Sequence, residues 1–415
     1  APREPGKFVK EVRGVVGKDV EKMAGYRVYD LRGIRRLNIF RTGMKKVVLI
    51  NQSTGYLMID IVNAYADEYD KVSLIAGSVK VMERPLKDMV VVDKIIAYNR
   101  KSSIKRLFTW CWGTLQVFFK LLFNYKGYEV VYVTNPPMCY LLALFFKNFF
   151  SVIVYDIYPD ALRNIGIREG NMLYKCWERW NRRIFSKASK VITLSEGMGT
   201  ILEKYVDKKR IRVVPNWVAS EQFHPIEKNV NPFVQKYSLG DKFIVLYSGN
   251  IGYTHNVEYM IEVANFLKEE VDIQFLIIGE GKKKETLKNM VKEYGLSSCL
   301  FLTWQEREML PYSLGAADVA VVTLNDETAQ VSVPSKTYNL LAVGVPLLCI
   351  ASKHSELAGL ISCYNNGVCF DKNAIHSMAD YILSLKNNLE YYKQLSDNSL
   401  NAAKYFTFQN AKKYV

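Results

Sequence analysis

The chain is poor in the residues from which metal and disulfide sites are built. Its 415 residues include four histidines (His224, His255, His354, His376), and neither their mutual spacing nor their spacing to cysteine suits a zinc ligand set. The seven cysteines are an odd number, scattered and without a Cys-x-x-Cys pair, which argues against a disulfide framework and fits a reducing cytoplasm. No Asp-x-Asp occurs, and we expect no protein-bound metal. Long apolar runs are missing as well. The nearest approach, Ile104 to Phe123, is interrupted by Lys105, Arg106 and Lys120 and falls short of the 18 or more apolar residues that spanning a bilayer requires. The first residues lack the apolar core of a signal peptide.

Acidic residues are scarce in one half only. Residues 1–43 carry 11 Lys/Arg against 5 Asp/Glu, residues 44–220 carry 27 against 15, and residues 221–415 carry 18 against 21. The basic excess therefore lies entirely in the first half. A membrane surface, a phosphorylated lipid or nucleic acid would each suit such a face, as would a basic surface with no specific partner.

From Met44 onward, short Val/Ile/Leu runs alternate with longer amphipathic stretches. Strands are expected at Val47–Ile50, Val72–Ala76, Met89–Ala97, Val130–Val133, Val152–Tyr155, Val191–Leu194 and Ile211–Val214. The second half repeats the rhythm at Phe243–Ser248, Ile273–Ile278, Leu300–Thr303, Val319–Leu324, Leu347–Ile350 and Val368–Phe370. Near-continuous apolar strands separated by helices mean parallel sheets covered on both faces, an α/β chain of two doubly wound domains facing a central cleft. Residues 44–218 form the expected first domain and 219–400 the second, with a hinge near Pro215–Pro232 and a tail, 401–415, with room for a helix returning to the first domain. Residues 1–43 read as an appendage or an expression remnant.

The second half holds four features suited to phosphate and nucleotide binding. Gly249-Asn250-Ile251-Gly252 follows one strand, where two glycines allow backbone to approach a ligand, and Gly279-Glu280-Gly281 follows the next. Thr303-Trp304-Gln305 follows a third and could line a base pocket or be an exposed turn. Ser332-Val333-Pro334-Ser335-Lys336 opens a short helix closed by Gly344, placing hydroxyls, amides and a cation within five residues. In the first half, Asp156 ends an apolar strand, where a carboxylate is costly unless it points into a cleft, and Pro159 holds the following loop. It is the candidate catalytic residue, or else a cap of that loop, with Asp160 as the fallback. Gln52 to Tyr56, including Gly55, forms a turn that should reach the cleft from the same side.

The ordered series Tyr155 to Asp160, Val191 to Met198, Val213 to Asn216, the two glycine turns, Ala316 to Val319 and Pro334-Ser335-Lys336 resembles glycosyltransferase family 4. The likeness is to the bacterial branch that builds surface polysaccharides and lipid-linked oligosaccharides, and it runs from Met44 to about Tyr405. It implies the GT-B fold, a first domain for the acceptor, a second for a nucleotide sugar, and retaining transfer without metal or other cofactor. In the family an Arg and a Lys accompany the first glycine turn. Asn250 stands at the first of these positions and His255 near the second. Two glutamates eight residues apart are replaced by Val331 and Asn339, so phosphate binding falls to Lys336, Ser332 and Ser335, and Asn339 is left to meet the ribose. On the family model Asp156 orients the sugar, beside Gly55, Tyr56 and Asp160 on the acceptor side.

The expected activity is therefore transfer of a sugar from a nucleotide sugar, UDP-linked by expectation, to a lipid-linked or polysaccharide-precursor acceptor. The expected location is the cytoplasmic face of the membrane, as a peripheral protein with no nucleic-acid partner. The aromatic stretch Ile104–Phe123 suits either a membrane interface or a buried crossover helix. A nucleotide-sugar epimerase of the same fold, a non-catalytic partner subunit and a basic nucleic-acid-binding protein are the alternatives.

Overall fold

The computed structural model describes residues 44–99, 101–161, 170–252, 255–324 and 333–415. The apolar runs of the first half form seven parallel strands: β1 (Lys46–Ile50), β2 (Lys71–Ala76), β3 (Val90–Lys94), β4 (Glu129–Val133), β5 (Phe150–Val154), β6 (Val191–Thr193) and β7 (Ile211–Val213). They pair in the order β3-β2-β1-β4-β5-β6-β7. Central strands have neighbours on both edges and helices on both faces, so nothing but apolar side chains fits: Leu49 of β1 is fully buried between Leu74 and Val131.

The second half repeats this plan with six parallel strands: β8 (Phe243–Ser248), β9 (Ile273–Ile278), β10 (Cys299–Leu302), β11 (Val319–Thr323), β12 (Leu347–Ile350) and β13 (Gly367–Phe370), ordered β10-β9-β8-β11-β12-β13. In each sheet the order of strands turns back at one place, between β1 and β4 and between β8 and β11. Loops leaving the carboxyl ends there part to opposite faces and leave a crevice, the usual ligand position in open parallel sheets.

Every expected strand is present, most within two residues of its expected ends. The exception in length is Met89–Ala97, which shrinks to β3. As an edge strand it pairs on one side only, and Val91 stands exposed there. A two-residue ladder between Ser53–Thr54 and Ser78–Val79 had no sequence signal, being too short for alternation to show.

The halves are joined by polar contacts as well as by apolar packing. Trp217, in the linker, is fully buried and donates from Nε1 to Asp60 at 2.8 Å, on helix α1 (Tyr56–Ala66). Asp60 also takes both ends of the Arg84 fork, at 2.8 and 2.9 Å, so its buried charge is fully matched. The chain then ends on α1: Phe408–Tyr414 forms a short 3-10 helix, and Tyr65 donates to the Tyr414 carbonyl at 2.9 Å. Phe408–Tyr414 thus packs on α1 of the first half, whereas residues 401–403 finish the helix Leu389–Ala403 of the second.

Candidate functional site

On the second-half edge, β8 runs into the turn Gly249–Gly252. Behind it stands Lys336, the first residue of helix α2 (Lys336–Ala342). Its stem is partly exposed, but Nζ is shut off from solvent and has no hydrogen-bond partner among the described residues. It lies 3.9 Å from the centre of the Tyr247 ring, and a Cβ at Gly249 would sit 3.1 Å from it. Gly249 thus leaves room for the ammonium under the turn. Burial pulls the Lys336 pKa down to about 7. A buried, unmatched cation is costly by itself and becomes favourable when an anion arrives.

His255 is close by. Burial lowers its pKa first, and the charges of Lys336 and Lys283 lower it further. Lys283 donates to the His255 carbonyl at 3.2 Å and pairs with Glu258. Three basic groups thus gather at one turn. Lys283 escaped the sequence reading, although the run Lys282-Lys283-Lys284 directly after the second glycine turn was an available signal.

The glycines do different work from one another. A Cβ at Gly279, whose φ is +149°, would fall 1.9 Å from the Gly249 carbonyl oxygen, and one at Gly281 would fall 2.2 Å from the Ile251 carbonyl oxygen. These two residues let the second turn lie directly on the first, and Ile251 donates to the Glu280 carbonyl at 2.9 Å. Gly252 faces the Asn250 side chain of its own turn, with a would-be Cβ 2.7 Å from Nδ2. Asn250 is exposed, and its carbonyl accepts from the Tyr247 hydroxyl at 2.7 Å.

Of the expected cradle, Val333 and Pro334 are half-buried and Ser335 is exposed, while Ser332 and Val331 lie outside the described residues. Asn339 has its side-chain oxygen engaged by the Ala219 amide at 3.1 Å, a bond that ties α2 to the linker. Its side-chain amide is what remains for a ribose. Trp304 is exposed beyond β10.

On the first-half edge, Thr134 follows β4 at the reversal point. Its hydroxyl accepts from the amides of Tyr155 and Asp156 at 3.0 and 3.1 Å, which fixes the end of β5. The Asp156 carboxylate is open to solvent yet walled by protein on most sides, and that desolvation raises its pKa. Tyr158 lies within the field of Asp156, Tyr98 and Arg106. Asp160 is engaged elsewhere: it accepts from Lys204 at 2.9 and 3.0 Å, Tyr174 at 2.9 Å and Tyr205 at 3.3 Å.

In the turn after β1, Gln52 is wholly buried and donates to the carbonyls of Ile96 and Thr109 at 3.0 and 2.8 Å, so it holds the turn. Tyr56 spends its hydroxyl on the Trp217 carbonyl at 3.1 Å. Gly55 has open space where a Cβ would point, with nothing within 4 Å. The structure thus groups Lys336, His255, Gly249 and the newly found Lys283 on one edge and Asp156 with Tyr158 on the other. It sets Asp160 and Tyr56 to structural bonds.

Residues 231–402 match the family described as Glycosyl transferases group 1. The chain is 25% identical over 328 residues to the probable glycosyltransferase WbjE of Pseudomonas aeruginosa, covering 74% of this chain and 80% of the relative. It is 30% identical over 181 residues to an Escherichia coli UDP-Gal:alpha-D-GlcNAc-diphosphoundecaprenol alpha-1,3-galactosyltransferase, 42% of each chain. In three dimensions it is similar to Anabaena HepE, solved in complex with UDP, with a TM-score of 0.68 at 14% identity over 89% of this chain and 98% of that one.

Proposed function

Because the chain is a glycosyltransferase of the GT-B fold carrying a group 1 domain, we propose that it moves a sugar from a UDP-linked donor to a lipid-linked precursor of a surface polysaccharide. The observation that carries this reading is the buried Lys336 ammonium, which has no hydrogen-bond partner among the described residues, stands under the glycine turn and is backed by His255 and Lys283. That arrangement suits a diphosphate, whose negative charge increases as the sugar leaves. UDP as the nucleotide is supported by the names of the galactosyltransferase and HepE relatives.

On this reading the donor diphosphate lies at Lys336 and the sugar projects across the crevice towards Asp156. The bond between the anomeric carbon and the phosphate oxygen breaks, and the acceptor hydroxyl oxygen bonds to that carbon from the same face. The hydroxyl proton passes to the departing phosphate oxygen, so configuration is retained. Asp156 acts on the positive charge that builds at the anomeric carbon, and the cations on the other edge hold the leaving group in place of a metal ion. An acceptor borne on a lipid places the enzyme at the inner membrane face as a peripheral protein. No helix among the described residues is long and apolar enough to cross a bilayer.

The test is a thermal-shift panel of UDP, GDP, CDP and ADP without added metal, followed by transfer assays with UDP-sugars and a diphosphate-linked sugar acceptor. Stabilisation by UDP above the others, and a product with the donor's anomeric configuration in the presence of a chelator, are expected. An inverted product would overturn the mechanism, and preference for another base would overturn the donor.

A further inference from the structure

The crossover helix between β3 and β4 covers the first sheet with only a thin stripe. This helix, Ser103–Phe123, is capped by Ser102, whose hydroxyl accepts from the Lys105 amide at 3.2 Å. Thr109, Gly113, Val117 and Leu121 are its buried residues, one per turn. A helix in that position ordinarily turns polar residues outward. Here the outward residues include Phe108, Trp112, Phe119 and Phe123, exposed to 58%, 47%, 47% and 73%.

The exposed rings form two stacked pairs along the helix, with the exposed Leu115 between them. Phe108 stacks on Trp112 with an interplanar angle of 3°, and Phe119 on Phe123 with 4°. Phe118 meets Phe145 edge-on, which extends the patch into the loop before β5. Contiguous exposed apolar surface of this kind marks a contact site.

Charge identifies the occupant. Between Asp93 and Asp156 the chain has eight Lys/Arg and a single acidic residue, Glu129. Lys101, Lys105, Lys126 and Lys147 are exposed at the ends of the helix and in the adjoining loop. A second copy of this face would oppose like charges, whereas an anionic bilayer offers apolar depth beneath a negative surface. The 21-residue helix, about 30 Å long, keeps its buried stripe of Thr109, Gly113, Val117 and Leu121 against the protein, so a bilayer would meet it side-on.

We propose that the outer face of Ser103–Phe123, with the Phe145–Phe149 loop, is an in-plane seat on anionic lipid. This deepens the peripheral placement proposed above and rests on it. The first turns of the same helix reach the acceptor edge: Arg106 lies 5.4 Å over the Trp110 ring, and Tyr98, stacked on Trp110 at 5.7 Å, neighbours Tyr158 beside Asp156. A bilayer on this face would deliver the polar head of a lipid-borne acceptor beside Asp156.

The test is co-sedimentation of the full-length chain with vesicles of pure phosphatidylcholine or of phosphatidylcholine mixed with phosphatidylglycerol. It compares the native chain with the triple variant F108S/W112S/F119S and the charge variant K101E/K105E/K126E. Basic residues 1–43 are present in every arm. The native chain is expected to bind the anionic vesicles and both variants to bind at least about ten-fold less. Transfer to a short-chain, water-soluble acceptor should be unchanged, because none of these side chains lies in the proposed transfer site. Equal binding by the triple variant, or no preference for anionic vesicles, would overturn the seat. So would a native dimer that the triple variant dissolves without any vesicle binding. Loss of soluble transfer in the native chain would instead strike at the proposed activity.

Discussion

The two crevice edges share a strand order and a reversal point, yet they are built from different materials. The second-half edge is main chain locked to main chain: two glycine turns lie one on the other, and a single buried ammonium stands beneath. The first-half edge is main chain pinned by side chains, with the Thr134 hydroxyl fixing the end of β5, Gln52 holding the turn after β1, and a solvent-open carboxylate beyond. Interlocked backbone gives a fixed shape for a fixed chemical group, which suits a diphosphate. Side chains on an open edge can be exchanged without disturbing the sheet, which suits an acceptor.

The sharpest way to break that contrast is to add one methyl group to each edge. Gly279→Ala places Cβ within 1.9 Å of the Gly249 carbonyl oxygen at a φ of +149°, so about 3 kcal/mol or more of stability should be lost. Gly55→Ala points its methyl into open space and should stay within about 0.5 kcal/mol of the native chain. Thermal unfolding of the pair decides it, and equal melting temperatures would refute an interlocked donor edge.

A second test separates the roles of the edges. Asp156→Asn keeps shape and removes charge, and it should slow transfer by about two orders of magnitude while UDP affinity stays within about two-fold. Initial rates beside calorimetry measure both. A parallel fall in UDP affinity would mean that Asp156 shapes the donor site as well. On the other edge, Lys336→Met should weaken UDP about ten-fold or more without loss of melting temperature, since a thioether replaces a buried ammonium that has no hydrogen-bond partner among the described residues. Unchanged UDP affinity would remove Lys336 from the diphosphate site.

The same contrast explains what could be read from the sequence. Strands buried on both faces announce themselves as apolar runs, and the turns after β8 and β9 carry their glycines within four residues, so the donor edge was legible as short motifs. Gly279 and Gly281 were legible as positions but not as roles, because the partner that demands glycine is a carbonyl some 30 residues away. On the acceptor edge the contacts are longer still. Asp160 reads from the sequence as the fallback to Asp156, but the fold brings Lys204 and Tyr205 to it, and the Tyr56 hydroxyl finds its acceptor 161 residues along the chain.

The finest test uses protons instead of substitutions. Burial holds the Lys336 pKa at about 7, against an ordinary lysine value of 10.5. Between those values the unfolded chain holds a proton on this lysine that the folded, empty protein lacks, so this group makes the empty protein more stable as pH rises. A bound diphosphate restores the charge by attraction, so binding takes up a proton and UDP affinity should fall as pH rises above about 7, by up to about ten-fold per unit. His255 titrates below its ordinary range through burial and the two lysine charges, and the second ionisation of a phosphate lies near about 6, so neither enters that window. Calorimetry from pH 7 upward in two buffers of different protonation enthalpy would report both the slope and the proton uptake. The slope should vanish in Lys336→Met, whereas an identical slope in that variant would place the titrating group elsewhere and leave the donor edge without its cation switch.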